Sequence, residues 1–184
     1  MFTVKILSKW AGIGLGSVLL FVAVAYGAMR MNDGPVEFYP WFTISIGGPF
    51  RSGELTAAPQ SWEFLQEREE IEIQTLKPTT SRTVWVPIVD EELFIVSGYM
   101  NSPIGKLWKQ WPAYMEADNR ILIRDEGKIY EQCLQRVLSD PEKIVPVLAE
   151  LGRKYLGGNG ELIPGSEIAV TSGSVWMFEV TGCE

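Results

Sequence analysis

Residues Thr83 to Ser97 read TVWVPIVDEELFIVS, two apolar runs (Thr83–Val89 and Leu93–Ser97) set on either side of Asp90-Glu91-Glu92. β-Branched and aromatic side chains suit a pleated, half-buried surface. A short acidic break between two such runs predicts a β-hairpin. Pro87 has no N–H to give to a ladder, so it predicts an edge position or a bulge in the first arm. The neighbouring sequence extends the pattern in both directions. Ile71-Glu72-Ile73-Gln74-Thr75 alternates apolar and polar residues upstream. Downstream, Ile121–Arg124 and Lys128–Val137 flank Asp125-Glu126-Gly127, a second hairpin with Gly placed for a tight turn. Ser174 to Val180 (SVWMFEV) reads as a final strand.

Helical patterns lie at the margins of this strand series. Pro59 to Glu70 (PQSWEFLQEREE) places Trp62 and Leu65 on one face and predicts a short amphipathic helix. A second helix is expected from Pro103 to Gln110, ended or kinked by Pro112. A third runs from Asp140 to Leu156, capped by Asp140-Pro141 and stopped by Gly157-Gly158. The fold class is therefore α+β, a small antiparallel barrel over residues 59–184 with peripheral helices. Residues 30–58 carry several Gly and Pro residues around the strand-like run Phe42-Thr43-Ile44-Ser45-Ile46, and read as a connector that adds one strand.

Ahead of the barrel, Trp10 to Met29 (WAGIGLGSVLLFVAVAYGAM) is uncharged and mostly apolar. Twenty residues at about 1.5 Å each cover roughly 30 Å, the hydrocarbon thickness of a bilayer. The run predicts a transmembrane helix, with residues 1–9 preceding it. Lys5 and Lys9 lie before the run and Arg30 alone follows closely, so the N-terminus is expected on the cytoplasmic side. The domain is then expected on the outer, periplasmic face of the cell inner (plasma) membrane. A cleaved signal peptide is the competing reading, with Ala25-Tyr26-Gly27 as a small-x-small site, although the apolar stretch exceeds a usual signal core. At 100° per residue, Gly12, Gly16, Ala23 and Gly27 fall within an arc of about 60°. Such a face lets two helix backbones approach closely, which points to a transmembrane protein partner or a homo-oligomer. Membrane helices are also generally rich in small residues, and Ala11, Gly14 and Ala25 form a second, looser set.

Composition narrows the chemistry. The net charge of -7 excludes a nucleic-acid surface, because phosphate recognition needs basic groups. The chain has no histidine, which removes Ser-His-Asp and Cys-His catalysis, His-ligated haem and most zinc sites. No metal site and no catalytic constellation stand out. Cys133 and Cys183 have no metal-ligand spacing. An oxidising compartment permits a disulfide between them. One buried thiol and one in the C-terminal tail fit the sequence equally well.

Five segments follow one another in an order that resembles a known family. They are Ser81-Arg82-Thr83-Val84-Trp85-Val86-Pro87-Ile88, Glu92-Leu93-Phe94-Ile95-Val96-Ser97-Gly98, Lys106-Leu107-Trp108-Lys109-Gln110-Trp111, Asn119-Arg120-Ile121-Leu122-Ile123 and Gly127-Lys128-Ile129-Tyr130. The stretch Thr75 to Val137 resembles the split β-barrel family of pyridoxamine-phosphate oxidase-like, flavin-reductase-like and deazaflavin-dependent nitroreductase-like proteins. The resemblance covers about a third of the chain. It implies a groove for FMN or an F420-type deazaflavin, with cofactor-binding candidates Arg82, Thr83, Trp85, Ser97, Tyr99, Asn101, Lys106 and Lys109. A phosphate needs cationic donors and a flavin-type ring needs an apolar wall, so these residue types fit that role.

Two functions from different classes follow. One is an accessory subunit, its barrel kept as a scaffold and its helix docked on a larger membrane complex. The other is a flavin- or deazaflavin-binding oxidoreductase acting on a small or quinone-like substrate, in which the cofactor supplies the redox chemistry.

Overall fold

In the structure, a computed structural model, residues 2–36, 47–103, 110–158, 160–162 and 164–183 are described. The expected strand at Phe42–Ile46 lies outside these residues, as does nearly all of the expected helix over 103–110. Helix α1 spans Phe2–Arg30. Within it, Gly12–Arg30 is long and apolar enough to cross a membrane, with a mean hydropathy of 1.9. The helix leaves the domain as a bare rod, because only Ala25, Met29 and Arg30 are shielded among residues 12–30.

Eight strands form one curled antiparallel sheet. They are β1 (Glu54–Leu55), β2 (Glu70–Leu76), β3 (Thr79–Trp85), β4 (Ile88–Val89), β5 (Glu92–Ser97), β6 (Arg120–Asp125), β7 (Lys128–Val137) and β8 (Trp176–Thr181). Their order is β3-β2-β6-β7-β8-β5-β4, with β1 pairing in parallel onto β7. The two outermost strands of that path, β3 and β4, are consecutive in the chain and separated only by Val86 and Pro87. A sheet whose opposite edges are joined by two residues must curl towards closure. Pro87 thus marks the place where the chain leaves one edge for the other, consistent with its missing N–H.

The hairpins form where turn chemistry allows them. Val89 pairs with Glu92, leaving the two-residue turn Asp90-Glu91 with φ values of 50° and 68°. Asp125 pairs with Lys128 around Glu126-Gly127, at 46° and 78°. Positive φ at both central residues matches the right-handed twist of the flanking strands. Between β2 and β3 the turn is Lys77–Pro78, with a cis peptide bond.

Each face of the sheet has its own core. Inside the curl, Ile71, Ile73, Leu93, Ile95, Ile121, Ile123, Leu134 and Phe178 pack with Leu65 and Trp62. Fully burying one such side chain contributes roughly 1.5–3 kcal/mol. Helix α2 (Trp111–Tyr114) plugs one end of the curl with Trp111, and Met115 follows it inward. Outside, Phe94, Met177 and Val137 pack against Ile144, Val147 and Leu151 of α3 (Pro141–Tyr155) and Val170 of α4 (Ser166–Thr171). The cap on α3 is as the sequence predicts: Asp140 Oδ1 accepts from the Glu142 N–H at 3.1 Å. The helix expected over Pro59–Glu70 is a single 3-10 turn, Glu63–Leu65, because Glu70 already belongs to β2.

Candidate functional site

Cross-strand register sets which side chains share the interior. Arg82 pairs with Ile73, Ile73 with Ile123, and Ile123 with Tyr130. Arg82 therefore stands in a row of otherwise apolar or aromatic inward residues. Its Cζ lies 5.5 Å from the Trp111 ring centroid, and among the described residues its buried Nε has no hydrogen-bond partner. Burial pushes the guanidinium down to about 10, opposed in part by the neighbouring Tyr114. Arg136 repeats the arrangement three strands further round the curl, on β7. It pairs with Phe178, its Cζ lies 3.5 Å from the Trp176 ring centroid, and burial lowers its pKa against the pull of Glu116. The rings are continuous: Trp111 to Phe178 is 5.7 Å and Phe178 to Trp176 is 6.3 Å. Gln132, on the same face as Arg136, has a buried Nε2 without a partner among the described residues.

This end of the curl thus combines two cations on an aromatic wall with an unsatisfied amide. Its cations and rings suit an oxyanion attached to an apolar or aromatic body. Among the described residues no group of three acidic, Cys or His side chains can hold a metal ion.

The residues expected to bind a cofactor occupy different surroundings. Arg82 points into the curl, and Ser97 lines the same end, with its hydroxyl donating to Met100 Sδ at 3.5 Å. Tyr99, 75% exposed, and Asn101 follow at that end, and Asn101 Nδ2 donates to Ser172 O at 3.2 Å and Ser174 Oγ at 3.3 Å. Thr83 and Trp85 face the other way, since they pair with Glu72 and Glu70 on the outer surface. Trp85 stacks on Tyr155 of α3, with ring centroids 4.5 Å apart and planes at 9°. Lys106 and Lys109 lie outside the described residues. The curl end brings together Arg82, Ser97, Tyr99 and Asn101, while Arg136, Trp176 and Gln132 join them without having been singled out from the sequence. Their inward direction could have been read only from the period-2 phase of β7 and β8.

A second polar constellation ties α1 to the sheet. Arg124 donates to Glu72 Oε2 at 2.6 Å, to Asp33 Oδ1 at 2.7 Å and to Ser52 O at 3.3 Å, and it lies 4.3 Å from the Phe50 ring centroid. Asp33 also accepts from the Arg51 amide at 2.7 Å and from the Ser52 hydroxyl. The Arg51 amide, the Ser52 hydroxyl and the Arg124 guanidinium hold the Asp33 carboxyl well below the usual range, against a smaller opposing effect of burial. Burial disfavours charge on Arg124, yet Glu72 and Asp33 raise its pKa overall. Further along, Arg30 donates to Gly47 O and to Thr79 O, and Ser81 Oγ donates to Gly48 O at 2.6 Å. An open groove of about 460 Å³ runs beside this clamp, lined by Asp33, Arg68, Glu70, Glu72, Arg124 and Asp125.

Glycine spacing and tail closure complete the geometry. Around Gly12, Gly16 and Gly27 a methyl group would meet nothing within 4 Å, so that helix face is open. Cys133 and Cys183 are disulfide-bonded with Cα atoms 5.1 Å apart, fastening the tail beyond β8 to β7.

No protein-family model matches the chain. No curated protein matches it either. Among solved structures it is similar to a conserved hypothetical protein from Mycobacterium tuberculosis, at a TM-score of 0.46 and 12% identity over 66% of this chain and 78% of that one. At that similarity neither a family nor an activity follows.

Proposed function

We propose that the protein is a single-pass, membrane-anchored accessory subunit. Helix α1 crosses the membrane with its N-terminus in the cytoplasm, and the curled-sheet domain stands on the outer face. The Gly12/Gly16/Ala23/Gly27 face packs against a helix of a membrane partner. The observation that carries this reading is the contrast between the two ends of α1. Its final turn is locked to the domain through Arg30 and the Asp33–Arg124 pair, whereas residues 12–24 are exposed and include bulky apolar side chains such as Leu15, Leu20 and Phe21. An apolar rod held rigidly on a polar domain suits lipid and a second helix. The disulfide supports an oxidising, extracytoplasmic location.

A test compares the detergent-solubilised wild-type protein with the Gly12→Ile/Gly16→Ile double variant. Loss of a co-purifying membrane protein, with unchanged thermal unfolding of the domain, is the expected result. Retention of every partner sinks the docking role.

A second reading has one specific support, the buried Arg82 Nε that lacks a partner among the described residues, beside Trp111. An FMN- or F420-type phosphate at that guanidinium would make the protein an oxidoreductase of the pyridoxamine-phosphate oxidase-like or nitroreductase-like class. The visible absorption spectrum of the purified protein separates the readings: a flavin or deazaflavin band favours the oxidoreductase, and its absence favours the scaffold.

A further inference from the structure

The last turn of α1 is bonded to the tip of one hairpin. Arg30 Nη2 donates to Thr79 O at 2.5 Å, and Thr79 is the first residue after the Lys77–Pro78 turn. If α1 spans the bilayer, a residue hydrogen-bonded to its final turn lies at the depth where the span ends. That depth is the headgroup region, which adds several ångströms on each side of the hydrocarbon. The β2–β3 tip is therefore held at the membrane surface by a side chain of the span itself.

The groups at that level suit lipid phosphate. Lys77 Nζ lies 3.6 Å from Asp118 Oδ2, while Arg120 donates to both oxygens of the same carboxylate at 2.9 and 2.8 Å. Arg120 occupies Asp118 in a two-pronged pair, which leaves Lys77, with 75% of its side chain exposed, as surplus charge. Together with Arg30 the cluster holds three cations against two carboxylates, Asp118 and the more distant Glu131 that also acts on Arg120, in a chain whose net charge is -7. Basic groups beside a span are drawn to lipid phosphate. Two exposed side chains, Tyr99 at 75% and Leu138 at 60%, project from the same end of the sheet, just beyond β5 and β7. Tyr is the kind of side chain that gathers at the membrane–water interface.

Resting on the reading of α1 as a membrane span, we infer that the β2–β3 hairpin tip lies against the phospholipid headgroups of the leaflet into which α1 emerges, with Lys77 facing lipid phosphate. The end of the curl that holds Arg82 and Arg136 then faces the bilayer. The β6–β7 turn at Glu126-Gly127, at the far end of the sheet, faces water.

Depth measurements on the full chain test this. Nitroxide labels are placed one at a time through Val18→Cys, Thr79→Cys and Glu126→Cys, and the protein is reconstituted in bilayers of equal parts phosphatidylcholine and phosphatidylglycerol. Collision with oxygen, which concentrates in hydrocarbon, is compared with collision with a water-soluble nickel chelate. The inference predicts a deep label at 18, a headgroup-level label at 79 and a fully aqueous label at 126. Adding Lys77→Glu moves the label at 79 several-fold towards the aqueous value while 18 stays deep. A deep label at 18 with indistinguishable labels at 79 and 126 overturns the hairpin contact and leaves the anchor standing. So does a label at 79 that ignores Lys77→Glu, because the tether alone then explains its depth. An aqueous label at 18 removes the anchor and the inference with it.

Discussion

Two arginines show how the same side chain serves opposite ends. Arg124 is surrounded by acceptors: Glu72, Asp33 and the Ser52 carbonyl. Removing it takes the guanidinium from Glu72 and leaves Asp33 with only the Arg51 amide and the Ser52 hydroxyl, so Arg124→Ala is expected to cost about 2 kcal/mol, a value below that of a fully buried pair because both acids are about one-third exposed. Thermal unfolding of the domain measures that loss. Arg82 Nε, by contrast, has no acceptor among the described residues, and a buried charge that is incompletely partnered weakens the fold. Arg82→Met is expected to leave stability unchanged or to raise it by about 1 kcal/mol, while abolishing any oxyanion binding at that end. A loss of stability instead would show that the guanidinium is structurally paired. Asp33 gives the pH dependence. Its folded-state pKa lies below the unfolded value of 3.8, so its stabilisation is complete above that value and is lost as pH falls through and below it. Unfolding midpoints should drop in that acid window, and Asp33→Asn should flatten the drop. Arg82 was singled out by the family resemblance, whereas the role of Arg124 was not legible in the sequence. Asp33 and Arg124 are 91 residues apart, and the β2–β6 pairing that sets Glu72 beside Arg124 says nothing of where the connector places Asp33.

At the scale of elements, the sequence was most legible where turn chemistry and alternation agree. Glu126-Gly127 satisfies a two-residue turn without strain at the glycine, and the β6–β7 hairpin is where the pattern places it. Asp90-Glu91 adopts the same conformation, which Asp tolerates and the Glu91 side chain disfavours. The double substitution Asp90→Asn/Glu91→Gly supplies the residue types that this turn favours, and should therefore stabilise the domain by about 1 kcal/mol in chemical denaturation. The helix expected at Pro59–Glu70 failed for the converse reason. With only Trp62 and Leu65 as apolar anchors, the stretch holds a single 3-10 turn, and β2 takes over at Glu70, which pairs with Trp85. Helix α4 and the two-residue strand β1 carried too few residues to form a period at all. The disulfide closes a separation of 50 residues. Loop-closure entropy of that length is worth up to about 4 kcal/mol, so Cys133→Ser/Cys183→Ser should lower the unfolding midpoint steeply, and reduction of the wild type should match it.

For the whole molecule, the long apolar helix and the α+β class were legible because a long apolar run and repeated short strands are composition-level signals. Relative placement was not. The sequence could not show that α1 meets the sheet through Arg30 and Thr79, nor that two arginines stacked on aromatic rings share the end of the curl next to it. That union ties the end of α1 to the sheet through the bond of Arg30 to Thr79 O, and the segment after it through the Asp33–Arg124 pair. The proposed docking through α1 is tested at two neighbouring positions of the helix. Leu20 borders the Gly12/Gly16/Ala23/Gly27 stripe, and Phe21, about 100° further round, faces away from it. A photo-crosslinking amino acid at each position, activated in native membranes, is the most direct test. The account predicts one discrete protein adduct from position 20 and only lipid adducts from position 21. The same adducts from both positions, or lipid alone from both, would contradict it.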